Sequence, residues 1–305
     1  PMLPFYIFYS CFGFQRIGDL VWTAADSRSR GFLLGATAGR TTLSGEGLQH
    51  EDGSSHILFS TVPNCVAYDP AFGYEVTTIV RDGMRRMLEN QEDVFYYVTA
   101  MNENYVHPAM PKGAEEGILK GMYRLRQGLR KRDEGRGKKE TPQVQLLGSG
   151  TILREVLAAA EMLEADWKVA ADVWSVTSFT ELRRDGMGTE RWNRLHPDAK
   201  QKQSWVEQSL AKASGPVIAA SDYMRALPDM IRTWVTRKYV VLGTDGFGRS
   251  DGRAALRDFF EVDRNHVVVA ALKALADEGA IDRKIVGRAI EKYGVATDRA
   301  NPWDV

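Results

Sequence analysis

Short apolar runs alternate with stretches of helical length along this chain, and the alternation occurs twice. In the first series, residues 5–9 (FYIFY), 31–36, 65–68 and 94–99 have the length and the β-branched or aromatic content of strands. Residues 15–29 and 71–89 between them carry helical spacing. In the second series, residues 144–147, 173–177, 216–220 and 239–242 read as strands. Residues 151–165, a segment beginning near Phe179, and residues 264–278 and 282–293 read as helices, with Gly279 and Gly294 as stops. Strands joined through helices pair in parallel and need helices on both faces. The predicted class is therefore α/β with parallel sheets.

Between the two series lies His107-Pro108-Ala109-Met110-Pro111, a proline-rich break expected to separate a domain at 1–110 from another at 111–305. The charge changes there too. The whole chain has 40 basic and 40 acidic side chains, but residues 1–111 carry 7 and 12 of them. A net charge of zero argues against a generic nucleic-acid or membrane-surface binder, and no apolar stretch approaches the roughly 20 residues of a membrane span. Cys11 and Cys65 cannot form a disulfide framework and fit a reducing, cytoplasmic setting.

The start is unusual. Pro1-Met2-Leu3-Pro4 leads straight into the aromatic run, with no initiator Met and no basic leader, so no signal peptide is expected. The run reads as a buried strand, and on that reading the chain is expected to be a piece of a longer protein. The aromatic cluster Phe5, Tyr6, Phe8, Tyr9, Phe12, Phe14 reads as core rather than cofactor platform.

Several motifs can be weighed chemically. Gly148-Ser149-Gly150 follows a strand and opens a helix, but the third glycine of a dinucleotide fingerprint would fall at Leu153, so a tight turn is the better reading. The loop at residues 243–251 (GTDGFGRSD) lacks the Walker spacing and lysine, which leaves phosphate binding a weak alternative. The basic run at residues 124–139 (RLRQGLRKRDEGRGKK) has no interleaved aromatics and reads as a solvated loop. No histidine pair has metal spacing. His50 sits in a polar, glycine-rich loop at residues 37–53, beyond a strand end, where α/β sheets bind ligands and an imidazole can exchange protons near neutral pH. A solvent-exposed loop histidine is the alternative, and His56 fits a local packing or capping role.

The strings PFYIFYSCFGFQRIGDL, GRTTLSGEGLQHEDG, YDPAFGYE, NENY, QLLGSG, SVTSFTELRRDG and LGTDGFGRSD, in that order, closely resemble one family. It is the homodimeric bacterial thiamine-diphosphate-dependent decarboxylating component of the pyruvate dehydrogenase complex. The resemblance implies the later part of a pyrimidine-binding middle domain followed by a transketolase-like C-terminal domain. It implies that Phe12 packs against the pyrimidine ring of the cofactor. It implies that Tyr9 and His50 approach the pyruvate substrate and its covalent pre-decarboxylation adduct. Ser54 stands where the family pattern has a second histidine, which removes that role here. The family's motif for magnesium and diphosphate is not in this sequence, so this chain alone is expected to bind no thiamine diphosphate tightly and to be inactive. The implied partners are the dihydrolipoyl acetyltransferase core, a second copy of the chain, and the missing N-terminal part of the enzyme. Alternatives are another thiamine-diphosphate enzyme, such as a transketolase or a 2-oxoglutarate dehydrogenase, and a non-catalytic dimerisation or docking module.

Overall fold

The computed structural model describes residues 2–130 and 141–305. Its first sheet uses β1 (Phe5–Phe8), β2 (Phe32–Ala36), β3 (Cys65–Tyr68) and β4 (Phe95–Ala100). They are all parallel, in the order β1-β2-β4-β3. Helix α1 (Ser10–Asp26) joins β1 to β2, α2 (Ser55–Phe59) precedes β3, and α3 (Gly73–Met84) joins β3 to β4, with a π-helical turn at Arg85–Glu89. The two-residue period of a strand divides the core. Cys65, Ala67, Phe95 and Tyr97 face α1 and α2, while Val66, Tyr68, Tyr96 and Val98 face α3 and α4 (Glu115–Lys120).

The second sheet holds β5 (Met122–Arg126), β6 (Gln143–Gly148), β7 (Ala170–Val176), β8 (Val217–Ala220) and β9 (Tyr239–Leu242). Their order is β5-β7-β6-β8-β9, with β5 alone antiparallel. Helices α5 (Ile152–Trp167), α6 (Phe179–Leu195), α7 (Trp205–Leu210), α8 (Ala226–Asp229), α9 (Arg253–Phe259), α10 (Arg264–Asp277) and α11 (Lys284–Tyr293) complete it. Leu146, Val173 and Ile218 face α5 and α10, while Leu147, Val176 and Ala219 face α6. Helices thus cover both faces of a parallel core, as the alternation predicts. The turn at Gly150 takes φ of +50°, and Gly279 and Gly294 end their segments at +73° and +64°.

Four expectations are corrected. Strand β1 is not buried: among the described residues it lies at the sheet edge beside β2, and it leaves Ile7 64% exposed. Phe5 and Tyr6 are likewise exposed, although Phe5 stacks on Phe32 and Phe8 and Phe14 pack inward. Helix α1 begins at Ser10, not residue 15, so Phe12 stands on a helix. The basic run is not all solvated loop. Arg124 and Arg126 belong to β5, Arg126 pairs with Glu164, and Arg130 meets Asp172 at 3.0 Å. Its residues 131–140 lie outside the described residues. Finally, the loop at 37–53 is open only in part: residues 38–43 and 51–53 are buried, because residues of the second sheet's connections pack over them.

Candidate functional site

Tyr9 is the N-cap of α1, directly after β1. Its carbonyl accepts from the N–H groups of Phe12 and Gly13, at 3.1 and 3.0 Å, which fixes the first turn of the helix. Gly13 is required there, since a Cβ would stand 1.8 Å from the Phe8 ring. The Ser10 hydroxyl donates to the Thr37 carbonyl at 3.1 Å and ties α1 to the loop after β2.

That loop returns to α1 as a single 3-10 turn, Leu48–His50. Two segments, the start of α1 and this turn, then bring three side chains together. The His50 ring lies 5.3 Å from Tyr9 and 5.0 Å from Phe12, centroid to centroid, and Tyr9 lies 6.0 Å from Phe12. Arg16, one turn along α1, places its guanidinium 3.9 Å over the Phe12 ring. Glu46 approaches His50 Nδ1 at 3.9 Å, beyond hydrogen-bond reach, and Nδ1 is buried without a hydrogen-bond partner among the described residues. Tyr9 stays 45% exposed. The cluster therefore offers a phenol, an imidazole and an aromatic surface at the open end of a parallel sheet.

Behind it, the loop is held by groups that give no local sequence signal. Asp222 accepts from Thr41 N–H (2.9 Å), Thr41 Oγ1 (2.7 Å) and Thr42 Oγ1 (2.7 Å). Burial raises its carboxyl from the ordinary range, and the Thr41 and Thr42 hydrogen bonds oppose that. Arg40 donates to the carbonyls of Thr244 (2.7 Å) and Gly246. Arg253 donates to Thr42 O at 2.6 Å. Asp52 accepts from the N–H groups of Ser54 and Ser55 and from Ser55 Oγ, which starts α2. His56 packs, one of the two roles expected for it: buried, with Nε2 3.1 Å from Thr99 Oγ1, it is pushed down to about 3 by desolvation. Ser54 stands just before α2, its N–H given to Asp52. Burial raises the Cys11 thiol on α1.

The glycine-rich loop at 243–251 does not present a free nest for phosphate, because its Thr244 N–H goes to Tyr223 O and its Arg249 N–H to Glu51. Among the described residues, Asp258, Asp263 and His266 form the one grouping of metal-ligand types, and Arg299 already donates twice to Asp258.

Comparison with known proteins agrees with this layout. Residues 1–108 match the pyruvate dehydrogenase E1 component middle domain, and residues 121–263 match the transketolase-like TK C-terminal domain. The pyruvate dehydrogenase E1 component of Pseudomonas aeruginosa is 63% identical over 305 residues, covering 100% of this chain and 34% of the relative. That of Escherichia coli (strain K12) is 57% identical, covering 99% and 33%. The chain thus spans about a third of the length of these relatives. Among solved structures, the transketolase from Campylobacter jejuni superposes with a TM-score of 0.64 at 18% identity, over 89% of this chain and 36% of that one. A split-gene transketolase described as an inactive beta4 tetramer gives 0.60 at 16% identity, over 90% and 76%. At that identity the structures speak for the fold alone, and the relatives speak for the family. The chain belongs to the pyruvate dehydrogenase E1 component family, with that family's middle domain followed by a transketolase-like C-terminal domain.

Proposed function

We propose that this chain supplies the pyrimidine-facing and substrate-facing half of a thiamine diphosphate site in an enzyme that decarboxylates pyruvate. The observation that carries this reading is the meeting of Tyr9, Phe12 and His50 at one sheet end. When bound, thiamine diphosphate supplies the nucleophilic carbon and the electron sink that loss of carbon dioxide from a 2-oxo acid requires. Phe12 gives an aminopyrimidine a ring to pack on, with Arg16 covering one side. Tyr9 and His50 give hydrogen bonds to the substrate's oxygen and carboxylate as charge moves between them. The unpartnered Nδ1 of His50 suits that task, since a buried polar atom gains most from a ligand that satisfies it.

On this reading the diphosphate and Mg2+ are held by residues outside this chain, and the cofactor lies between two subunits. The domain boundary falls at residues 110/111, and residues 111–305 brace the site without touching substrate. The acetyl unit passes to the lipoyl group of the dihydrolipoyl acetyltransferase core. The cellular setting is the cytoplasm; no described helix is long and apolar enough to cross a membrane. A second copy of the chain is the expected partner.

Two measurements test this. In the full-length enzyme, Tyr9→Phe and His50→Ala each lower kcat with pyruvate by about 10²–10³-fold, while Phe12→Ala weakens cofactor binding instead. Unchanged kcat in both of the first two variants overturns the assignment. Calorimetric titration of the 305-residue chain with thiamine diphosphate shows no micromolar binding; a micromolar Kd would sink the claim that half the site is elsewhere.

A further inference from the structure

The loop at residues 243–251 has no part in the chemistry above, yet it lies against the segment that carries His50. Its Arg249 N–H, its Asp251 carbonyl and its Gly248 all meet that segment. Glu51 follows the 3-10 turn directly, is 2% exposed, and accepts the Arg249 N–H through Oε2 at 2.6 Å. Gly45 donates its N–H to the Asp251 carbonyl at 3.1 Å, so the segment from 45 to 51 is gripped at both ends. Between the grips, Gly248 comes so close that a Cβ would stand 2.5 Å from Leu48 O and 2.8 Å from Glu51 Oε2. The loop is itself anchored, since Asp245 Oδ2 accepts from the Arg225 N–H and Nε at 3.1 and 2.8 Å.

We propose that this loop positions His50 through Glu51, so that the second sheet sets the geometry of a side chain standing on the first. Glu51 is a positioning residue: it acts on the imidazole by fixing the turn before it. Among the described residues its Oε1 is buried without a hydrogen-bond partner, and the Arg249 amide is the contact that holds the carboxyl in place. A side chain without an acceptor at this position releases the turn. A neutral isostere with a carbonyl oxygen keeps it. Two of the three glycines in the loop also gain a reason. Gly246 adopts φ of +101° where it passes Pro302, and Gly248 leaves room for the Leu48 carbonyl.

The consequence for turnover rests on the role proposed for His50; the positioning itself does not, and the experiment separates them. The 305-residue chain is labelled with 13C-histidine and its ring signals are assigned by His50→Gln. Glu51→Ala shifts the His50 signals and speeds exchange of the Arg249 amide about tenfold, the loss of one buried hydrogen bond. Glu51→Gln restores both, and the exposed His107 and His196 signals stay fixed throughout, which reports an intact fold. Gly248→Ala, one methyl pressed on Leu48 O, shifts His50 from the other side. In the full-length enzyme Glu51→Ala lowers kcat about tenfold at unchanged KM, with recovery in Glu51→Gln. The inference is overturned if Glu51→Ala leaves both the His50 signals and Arg249 exchange unmoved, or if Glu51→Gln fails to restore them. Shifted His50 signals with full activity uphold the positioning and overturn the role given to His50.

Discussion

The two sheets are built from the same kind of segment and end up in opposite states. Strands β6, β7 and β8 of the second are buried almost throughout, with helices on both faces. The first keeps β1 at an open edge and leaves Tyr9 half exposed at its end. The side chains proposed to meet substrate stand on the less finished sheet, and connections of the closed sheet hold the loop of His50 in place through Asp222, Thr244 and Arg249. Chemistry needs groups that are accessible and accurately placed. Here accessibility comes from one sheet and placement from the other.

The contrast can be broken by three measurements. The largest effect is expected in the closed sheet. Leu146 is fully buried between β7, β8 and the α5–α10 layer, so Leu146→Ala should cost about 2–5 kcal/mol in denaturant unfolding. The second concerns the seam. Burial pushes the Glu51 carboxyl up to about 7, against the Arg249 hydrogen bond and the Arg40 charge, while Asp222 adds to the rise. The neutral form is favoured in the folded chain. Its contribution is therefore fully present below about 4.5, the ordinary glutamate value, and is lost as pH rises through 7. Glu51→Gln cannot ionise, so its melting temperature should gain on the wild type between pH 5 and pH 8, by about 2–4 °C. A constant difference across that range would show that the seam does not titrate. The smallest effect is expected at the open edge: Ile7→Ala should change stability by less than about 0.5 kcal/mol. If it costs as much as Leu146→Ala, the edge is not open.

Much of this contrast was legible in the sequence, but unevenly. Runs such as 65–68 and 144–147 announce strands because both faces are buried and nearly every position is apolar, Gln145 being the exception. Strand β5 was hidden because it is an edge strand whose alternate positions are arginines. Helices α2 and α7 have five and six residues, too few for a helical period to show. The start of α1 was misplaced because Ser10 to Phe14 is apolar on all sides, and the helix is broken again at Ile17, where φ is −124°. At the site, loop context singled out His50, and Tyr9 and Phe12 came from resemblance, since Phe12 and His50 are 38 positions apart. The braces could not be read at all. Thr41 and Asp222 are 181 positions apart, and no periodicity links two ends of a tertiary hydrogen bond.

The edge of β1 also bears on how the chain behaves in a tube. Four consecutive apolar residues, Phe5 to Phe8, carry no charge and offer an unpaired ladder of donors and acceptors, with Leu20 and Trp22 exposed on the helix that follows. Strands of that composition recruit one another, and the resulting association is steep in concentration. On that ground colloidal stability, rather than folding stability, is expected to set the working range of this chain, and Ile7→Lys is expected to widen it in light scattering across a dilution series.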